Sequence, residues 1–324
     1  MFTTQILDLC SPLDCDKAAK LLLEGELVAI PTETVYGLAA DAQNKEAINK
    51  IFEVKQRPST HPLIVHIADV LELKKWALDI PEIAYALAKA YWPGPLTIVL
   101  KKAANVGAEI SGGLETIAIR VPNQPKLLEM MKQHDLALVA PSANPHKKLS
   151  PTKADHVYKS LYGRIPAVLD GGVCAVGLES TILDLTQENP IILRKGPITK
   201  DDLEKILGCC VIDPSSHSIP SPGNMHLHYQ PYTKSYLVQK SEFENKIEEN
   251  LDEPVGFLHY SFYKSLAHHP YAIKLEEIKE NYASALYSSL HHLDSLNLKA
   301  IYIEAPPSQP SWAAVEDRLV KATN

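Results

Sequence analysis

Apolar residues recur along the chain in two alternating rhythms. Short runs of strand length occur at Leu27–Ile30, Leu63–Ile67, Leu96–Leu100, Thr116–Val121 and Leu136–Ala140. Later runs of the same kind are Ala167–Asp170, Thr181–Leu185 and Ile191–Arg194. Between them the spacing turns helical. Ile48, Ile51 and Phe52 stand at i, i+3, i+4 within Lys45–Lys55, and Ile83, Ala84, Leu87 and Ala88 share one face of Pro81–Tyr91. Pro58 stops the first of these helices. Thr152-Lys153-Ala154-Asp155 has the spacing of a capping box, with Asp in place of Glu, and predicts a further helix. The spacing repeats from Thr199 to Asp202 ahead of Leu203–Leu207. This alternation predicts an α/β fold built on a twisted, open, mixed sheet with helices.

The rhythm breaks after residue 207. From 208 to 236 the chain carries Pro214, Pro220, Pro222, Gly223 and Pro231 among serines, a linker composition that also holds His226, His228, Tyr229 and Tyr232. From 237 to 324 a smaller α/β domain is expected, with strands at Val255–His259 and Ala300–Glu304 and a largely helical stretch over Ile273–Leu293. The expected organisation is therefore a domain over 1–207, a Pro-rich linker or lid over 208–236, and a small domain over 237–324.

Composition narrows the classes. With 324 residues, 45% hydrophobic and 22% charged, the chain suits a globular protein of two domains. A net charge of −7 gives no overall basic field for nucleic acid. The first 26 residues lack a basic stretch followed by an apolar one, so no signal peptide is expected, and no apolar run is long enough to span a membrane. Five scattered cysteines without a CxxC pair argue against a disulfide framework or zinc site and fit a reducing cytoplasm. His268-His269 and His291-His292 lack metal spacing on one helix face and read as solvated.

Chemistry-bearing residues gather at element ends. Pro31-Thr32-Glu33-Thr34-Val35-Tyr36-Gly37 crowds two hydroxyls, a carboxylate and a phenol at a strand exit, where ligands of α/β sheets bind. Lys55-Gln56-Arg57-Pro58 puts two cations, both expected to be exposed, at a helix end; they suit either the helix dipole or a phosphate. His61 and His66 flank the next strand start, and Arg120 ends an apolar strand where it needs an anion or water. Pro141-Ser142-Ala143-Asn144-Pro145 is an Asx-type turn or a ligand loop. Ser150-Pro151-Thr152 precedes helix N–H groups, Gly177-Leu178-Glu179-Ser180-Thr181 precedes a strand, and Arg194-Lys195-Gly196 follows one. Five cations at element ends, with hydroxyls and an amide nearby, suggest a polyanionic ligand in a shared cleft. No GxxxxGK[ST], GxGxxG or GxSxG is present, so no P-loop, dinucleotide fingerprint or nucleophile elbow is indicated.

In this order the motifs resemble the threonylcarbamoyl-AMP synthase family, with its YrdC-like fold, in the longer two-domain form. The matching pieces are PTETVYGLAADA (31–42), KQRPSTHPLIVHI (55–67), WPGPLTIVL (92–100), TIAIRVP (116–122), APSAN (140–144), SPT (150–152), GLESTILDL (177–185) and ILRKG (192–196). SPGNMHLHYQP (221–231) resembles the family's linker segment, and Val315-Glu316-Asp317-Arg318-Leu319 the end of its second domain. The resemblance implies synthesis of threonylcarbamoyl-AMP and pyrophosphate from L-threonine, bicarbonate and ATP with Mg²⁺. The product would supply a separate transferase complex acting beside the anticodon of ANN-reading tRNA. It further implies that Thr34, His66, Arg120, Ala140 and Ser180 line the threonine pocket. ATP and magnesium would fall to Lys55, Arg57, His61, Thr116, Ser142, Asn144, Ser150 and Arg194, with Tyr229 folding over the nucleotide. Lys55, Arg57, Ser142 and Asn144 would form the catalytic group, and no protein side chain is expected to ligate the metal directly. Two other readings compete: a tRNA-binding module without chemistry, and a carbamoyl-transfer domain. A weak direct contact with tRNA stays open under the leading reading.

Overall fold

The computed structural model describes residues 2–214 and 228–323. These divide into two compact units, one drawn from 2–146, 151–175 and 179–214, the other from 147–150, 176–178 and 228–323.

The first unit carries strands β1 (Gln5–Asp8), β2 (Val28–Ile30), β3 (Gly37–Asp41), β4 (Ile64–His66), β5 (Ala77–Leu78) and β6 (Leu96–Lys102). It continues with β7 (Thr116–Arg120), β8 (Leu138–Val139), β9 (Ala167–Asp170), β10 (Thr181–Asp184) and β11 (Ile191–Arg194). Among the described residues these form one sheet in the order β1-β9-β2-β3-β8-β4-β7-β6-β10-β11, with β5 beside β6. The pairs β1–β9, β2–β9, β4–β7 and β6–β10 are parallel, and the remaining neighbours antiparallel, so the sheet is mixed as expected. Its central strands are largely buried because helices cover them: Ala18, Ala19 and Leu22 of Pro12–Leu23 and Ile48 and Ile51 of Lys45–Lys55 share one core with Val28–Ile30.

Two local differences from the expected elements of this unit have physical causes. β3 is a buried Gly-Leu-Ala-Ala-Asp run of weak strand propensity, formed because β2 and β8 flank it. The helix expected to be capped at Thr152 starts instead at Ala154, with Lys153 as N-cap and no side-chain cap. The Thr152 N–H donates to His156 Nδ1 at 3.2 Å, so an imidazole takes the place expected of Asp155. At the second such spacing the box does form: Thr199 Oγ1 accepts from Asp202 N, and Asp202 Oδ2 accepts from Thr199 N.

The second unit holds a parallel sheet of β12 (Ser235–Val238), β13 (Val255–His259), β14 (Ala272–Lys274) and β15 (Ala300–Glu304), ordered β12-β15-β13-β14. The helix expected from Ile273 begins only at Lys279, because Ala272–Lys274 pairs with Phe257–His259 as β14. Glu304, buried at the end of β15, accepts from Tyr260 N and Ser261 N at 2.9 Å and from Tyr263 OH at 3.0 Å. Residues 215–227 lie outside the described residues, and with them part of the segment over 208–236 expected to act as a lid. No helix among the described residues is long and apolar enough to cross a membrane.

Candidate functional site

The loop from Pro31 to Tyr36 is shaped by Thr32. Its hydroxyl donates to Val35 O at 2.7 Å and accepts from Thr34 N and Val35 N at 3.2 Å. Thr34 Oγ1 stands 2.8 Å from Thr32 Oγ1. Since the Thr32 proton is committed to Val35 O, the Thr34 proton points to Thr32, and Thr34 Oγ1 is left as an acceptor. The loop rejoins the sheet at Gly37, where an added Cβ would lie 3.0 Å from the Cβ of Ala140.

What Thr34 accepts is an N–H of Arg120, from Nη2 at 2.9 Å. Arg120 is the last residue of β7 and the register partner of His66 in β4. Its Nε donates to Gly94 O at 3.1 Å, and Glu33 Oε1 lies 2.7 Å from Nη2 as an ion pair. Glu33 Oε2 accepts from Asn123 N at 3.0 Å. The guanidinium, 4% exposed, is thus fixed on three sides, while Nη1 makes no hydrogen bond to a described residue. Beside it, burial and then the Arg120 charge push the His66 imidazole down to about 3, so it is neutral at physiological pH.

The site continues across the neighbouring strands. Ile98 of β6 faces Ile119 of β7, so Thr97 and Arg120 are the next positions along the two strands. Thr97 Oγ1 is 2.7 Å from Ser180 Oγ. Arg194, at the end of β11, donates from Nε to Ser180 O and from Nη2 to Ser180 Oγ, both at 2.9 Å. Gly196 makes this approach feasible: a Cβ there would sit 2.3 Å from Thr181 N and 2.7 Å from Ser180 C.

A third group surrounds the turn after β8. Lys55, expected to be exposed, is instead 2% exposed, and its Nζ donates to the carbonyls of Ser142 and Asn144. Burial holds its pKa well below the ordinary lysine value, with Arg57 and Arg164 adding to the effect. The cause of the difference is the turn itself, whose Ser142 and Asn144 carbonyls face inward and draw the ammonium in; Ser142 O also accepts from Asn144 N at 3.0 Å. Arg57 Nη2 donates to Pro62 O at 3.1 Å, and the His61 ring stands 5.8 Å from that of His146. Burial lowers the His61 pKa, with a further contribution from Arg57. Ser142 is half-buried and bridges to Gly37, which links this group to the Thr34 loop. Thr116 is the half-buried first residue of β7.

Ser150 and Tyr229 belong to the second unit. Ser150 O lies 3.1 Å from His291 Nε2. Tyr229, at φ 63°, buries its ring 5.9 Å from Tyr287 and 5.1 Å from the Arg318 guanidinium. Among the described residues no group of three or more His, Cys, Asp or Glu side chains is placed to hold a metal ion. Two residues absent from the expected set emerge from the geometry. Glu33 contacts Arg120, and Thr97 contacts Ser180. Both sit inside the motif segments, but the pairing of strands that gives them their partners is a long-range property.

Residues 20–196 match the family described as telomere recombination, and residues 198–324 match the threonylcarbamoyl-AMP synthase C-terminal domain. The chain is 38% identical over 319 residues to the threonylcarbamoyl-AMP synthase of Pyrococcus abyssi, covering 94% of this chain and 93% of that protein. It is 38% identical to the Bacillus subtilis protein of the same name, over 94% and 92% of the two chains. The crystal structure of P. abyssi Sua5 complexed with L-threonine superimposes with a TM-score of 0.91 at 36% identity, over 99% of this chain and 98% of that one.

Proposed function

Since this chain belongs to the threonylcarbamoyl-AMP synthase family, we propose that it joins L-threonine, bicarbonate and ATP into threonylcarbamoyl-AMP and pyrophosphate. The observation that carries this reading is the Arg120 guanidinium. It is buried, held by Gly94 O, Thr34 and Glu33, and leaves the two N–H groups of Nη1 for a ligand. A buried, pre-aligned guanidinium is suited to one carboxylate of a small ligand.

Threonine binds with its carboxylate on Arg120 and its remaining groups toward Thr34, His66, Ala140 and Ser180. Neutral His66 lends a hydrogen-bonding ring without adding a second charge. Once the threonine ammonium has given up a proton, the free amine attacks bicarbonate with loss of water, or carbon dioxide with loss of a further proton, giving a carbamate. A carbamate oxygen then bonds to the α-phosphorus of ATP as the bond to the pyrophosphate oxygen breaks. Arg57, His61, Thr116, Ser142, Asn144 and Arg194 are assigned to the nucleotide. Lys55 acts there by holding the Ser142–Asn144 turn in shape through its two carbonyl contacts. Mg²⁺ would enter with ATP and offset phosphate charge, and Ser142 and Asn144 are the residues that would help to hold it. The product passes to a separate transferase that modifies ANN-reading tRNA, and the place of action is the cytoplasm.

The test is pyrophosphate release from the full chain supplied with ATP, magnesium, L-threonine and bicarbonate. Release that requires both threonine and bicarbonate is expected. Equal release with either omitted marks an ATPase and removes the reading.

A further inference from the structure

Glu33 is the charged group of the site that the reaction above leaves without a task. Its carboxylate is buried, and Oε1, 2.7 Å from Arg120 Nη2, has a charge partner but no aligned hydrogen bond among the described residues. Oε1 is also sealed from solvent, so it is not placed to touch a ligand. The effect of Glu33 on a ligand must therefore pass through Arg120.

Its charge sets the sign of the pocket. Arg120 contributes +1 and Glu33 −1, and His66, the next titratable neighbour, is neutral. Cys174, which feels both charges, stays a thiol: burial pushes it up to about 12, with Glu33 adding to the rise and Arg120 opposing it. The Arg120 end of the pocket, as distinct from the Ser180 end to which Arg194 donates, is therefore neutral before a ligand arrives. A ligand carrying only a carboxylate leaves a buried group of three charges at net −1, which is costly in a poorly solvated site. A zwitterion brings its own ammonium and keeps the sum at zero.

Resting on the reading of the site as a threonine pocket, we propose that Glu33 is a positioning and specificity-determining residue. It aligns the Arg120 guanidinium and makes the pocket select zwitterionic α-amino acids over simple hydroxy acids of the same shape. Glu33 achieves this by cancelling the charge that would otherwise attract any carboxylate. Discrimination of this kind works by penalising the wrong ligand rather than by adding contacts to the right one.

The experiment compares L-threonine with (R)-3-hydroxybutyrate, which is threonine without its amine, by calorimetry on the full chain. The wild type is expected to bind threonine at least about a hundredfold more tightly, and Glu33→Gln to shrink that ratio at least about tenfold, as one added charge a few ångströms away would. Glu33→Asp keeps the charge, so its ratio is expected to stay within about threefold of the wild type even where threonine binds more weakly. That variant serves also where Glu33→Gln does not fold. A ratio unchanged in folded Glu33→Gln, or one that collapses in Glu33→Asp, overturns the inference while leaving the threonine pocket intact. A wild type that binds no threonine removes the pocket reading itself.

Discussion

Arg120 donates from Nη2 to the hydroxyl of Thr34 at 2.9 Å, across 86 positions of sequence. The contact joins the end of a central strand to a loop whose own shape is fixed by Thr32. Because the Thr34 proton is drawn to Thr32, this hydroxyl receives the guanidinium without competing for it. The guanidinium is thus ordered before any ligand binds, which reduces the ordering that binding of the proposed amino acid would otherwise require.

Replacing Arg120 with Lys tests that geometry. The ammonium keeps the charge but cannot meet Gly94 O, Thr34 and a ligand carboxylate in one plane. The KM for threonine is expected to rise at least about tenfold, the cost of roughly one charge-assisted hydrogen bond. The KM for ATP should stay within about twofold, since no nucleotide contact is assigned to Arg120. Steady-state kinetics with each substrate varied in turn decide it, and equal weakening of both would assign Arg120 to the phosphates or to the scaffold.

Lys55→Met keeps the length of the side chain and removes the donor to Ser142 O and Asn144 O. Two carbonyls then lose their Lys55 donor, although Ser142 O keeps the Asn144 N–H at 3.0 Å, at an expected cost of about 2 kcal/mol. The melting temperature should fall by roughly 4–8 °C for a unit of this size. Threonine affinity measured by calorimetry should change less than the KM for ATP, because the turn it shapes carries Ser142 and Asn144. A variant with unchanged melting temperature and lost turnover would instead make Lys55 a direct catalytic cation.

Much of this arrangement is legible in the sequence, for reasons that differ by residue. β2, β4, β6 and β7 announce themselves as apolar runs because both faces of these strands are covered. The helix at Lys45–Lys55 follows from its period, while its cap, Asn44 accepting from Ala47 N, emerges only from the structure. β1 escapes the pattern since it is short and outward-facing at Ile6, and β3 since glycine and alanine carry little strand signal. The Thr152 spacing misleads because a capping box needs its acidic partner to turn back, and His156 reaches the N–H instead. The mixed α/β class and the family are readable from the motifs. Burial of Lys55, the Glu33–Arg120 pair and the Thr97–Ser180 contact are not. Each depends on which strands and turns meet, and no local pattern encodes that.

Gly196→Ala probes how closely β11 and its exit approach the start of β10. The new Cβ would stand 2.3 Å from Thr181 N, against backbone that cannot swing aside. The chain after Arg194 must therefore move, and the bonds from Arg194 to Ser180 O and Oγ move with it. A loss of at least about 2 kcal/mol in stability is expected, the scale of overpacking against rigid surroundings. The KM for threonine should rise in the same variant. Urea titration together with kinetics checks both, and wild-type values for the two would show that the exit relaxes freely.

His66 gives the chain a predictable acid sensitivity. Its imidazole is held at about 3 in the folded protein by burial and by Arg120, against an ordinary histidine value of 6.5. Between those values the unfolded chain binds a proton that the folded chain refuses, so stability rises with pH through the interval and falls as pH drops below 6.5. By pH 5 the loss attributable to this one group reaches about 2 kcal/mol. Replacing His66 with Asn removes the titration while leaving a polar side chain of similar reach, so the variant should lose stability less steeply than the wild type on acidification. Melting curves for the two proteins at half-unit steps from about pH 7.5 to about pH 5 read the difference directly, since the other titrating groups are common to both. The melting temperatures should converge by roughly 4–8 °C across that range for a unit of this size. Parallel curves would mean that His66 takes up its proton in the folded state as readily as in the unfolded one, and the ring assigned to the threonine pocket would then titrate near the ordinary value of 6.5 instead of staying neutral on acidification.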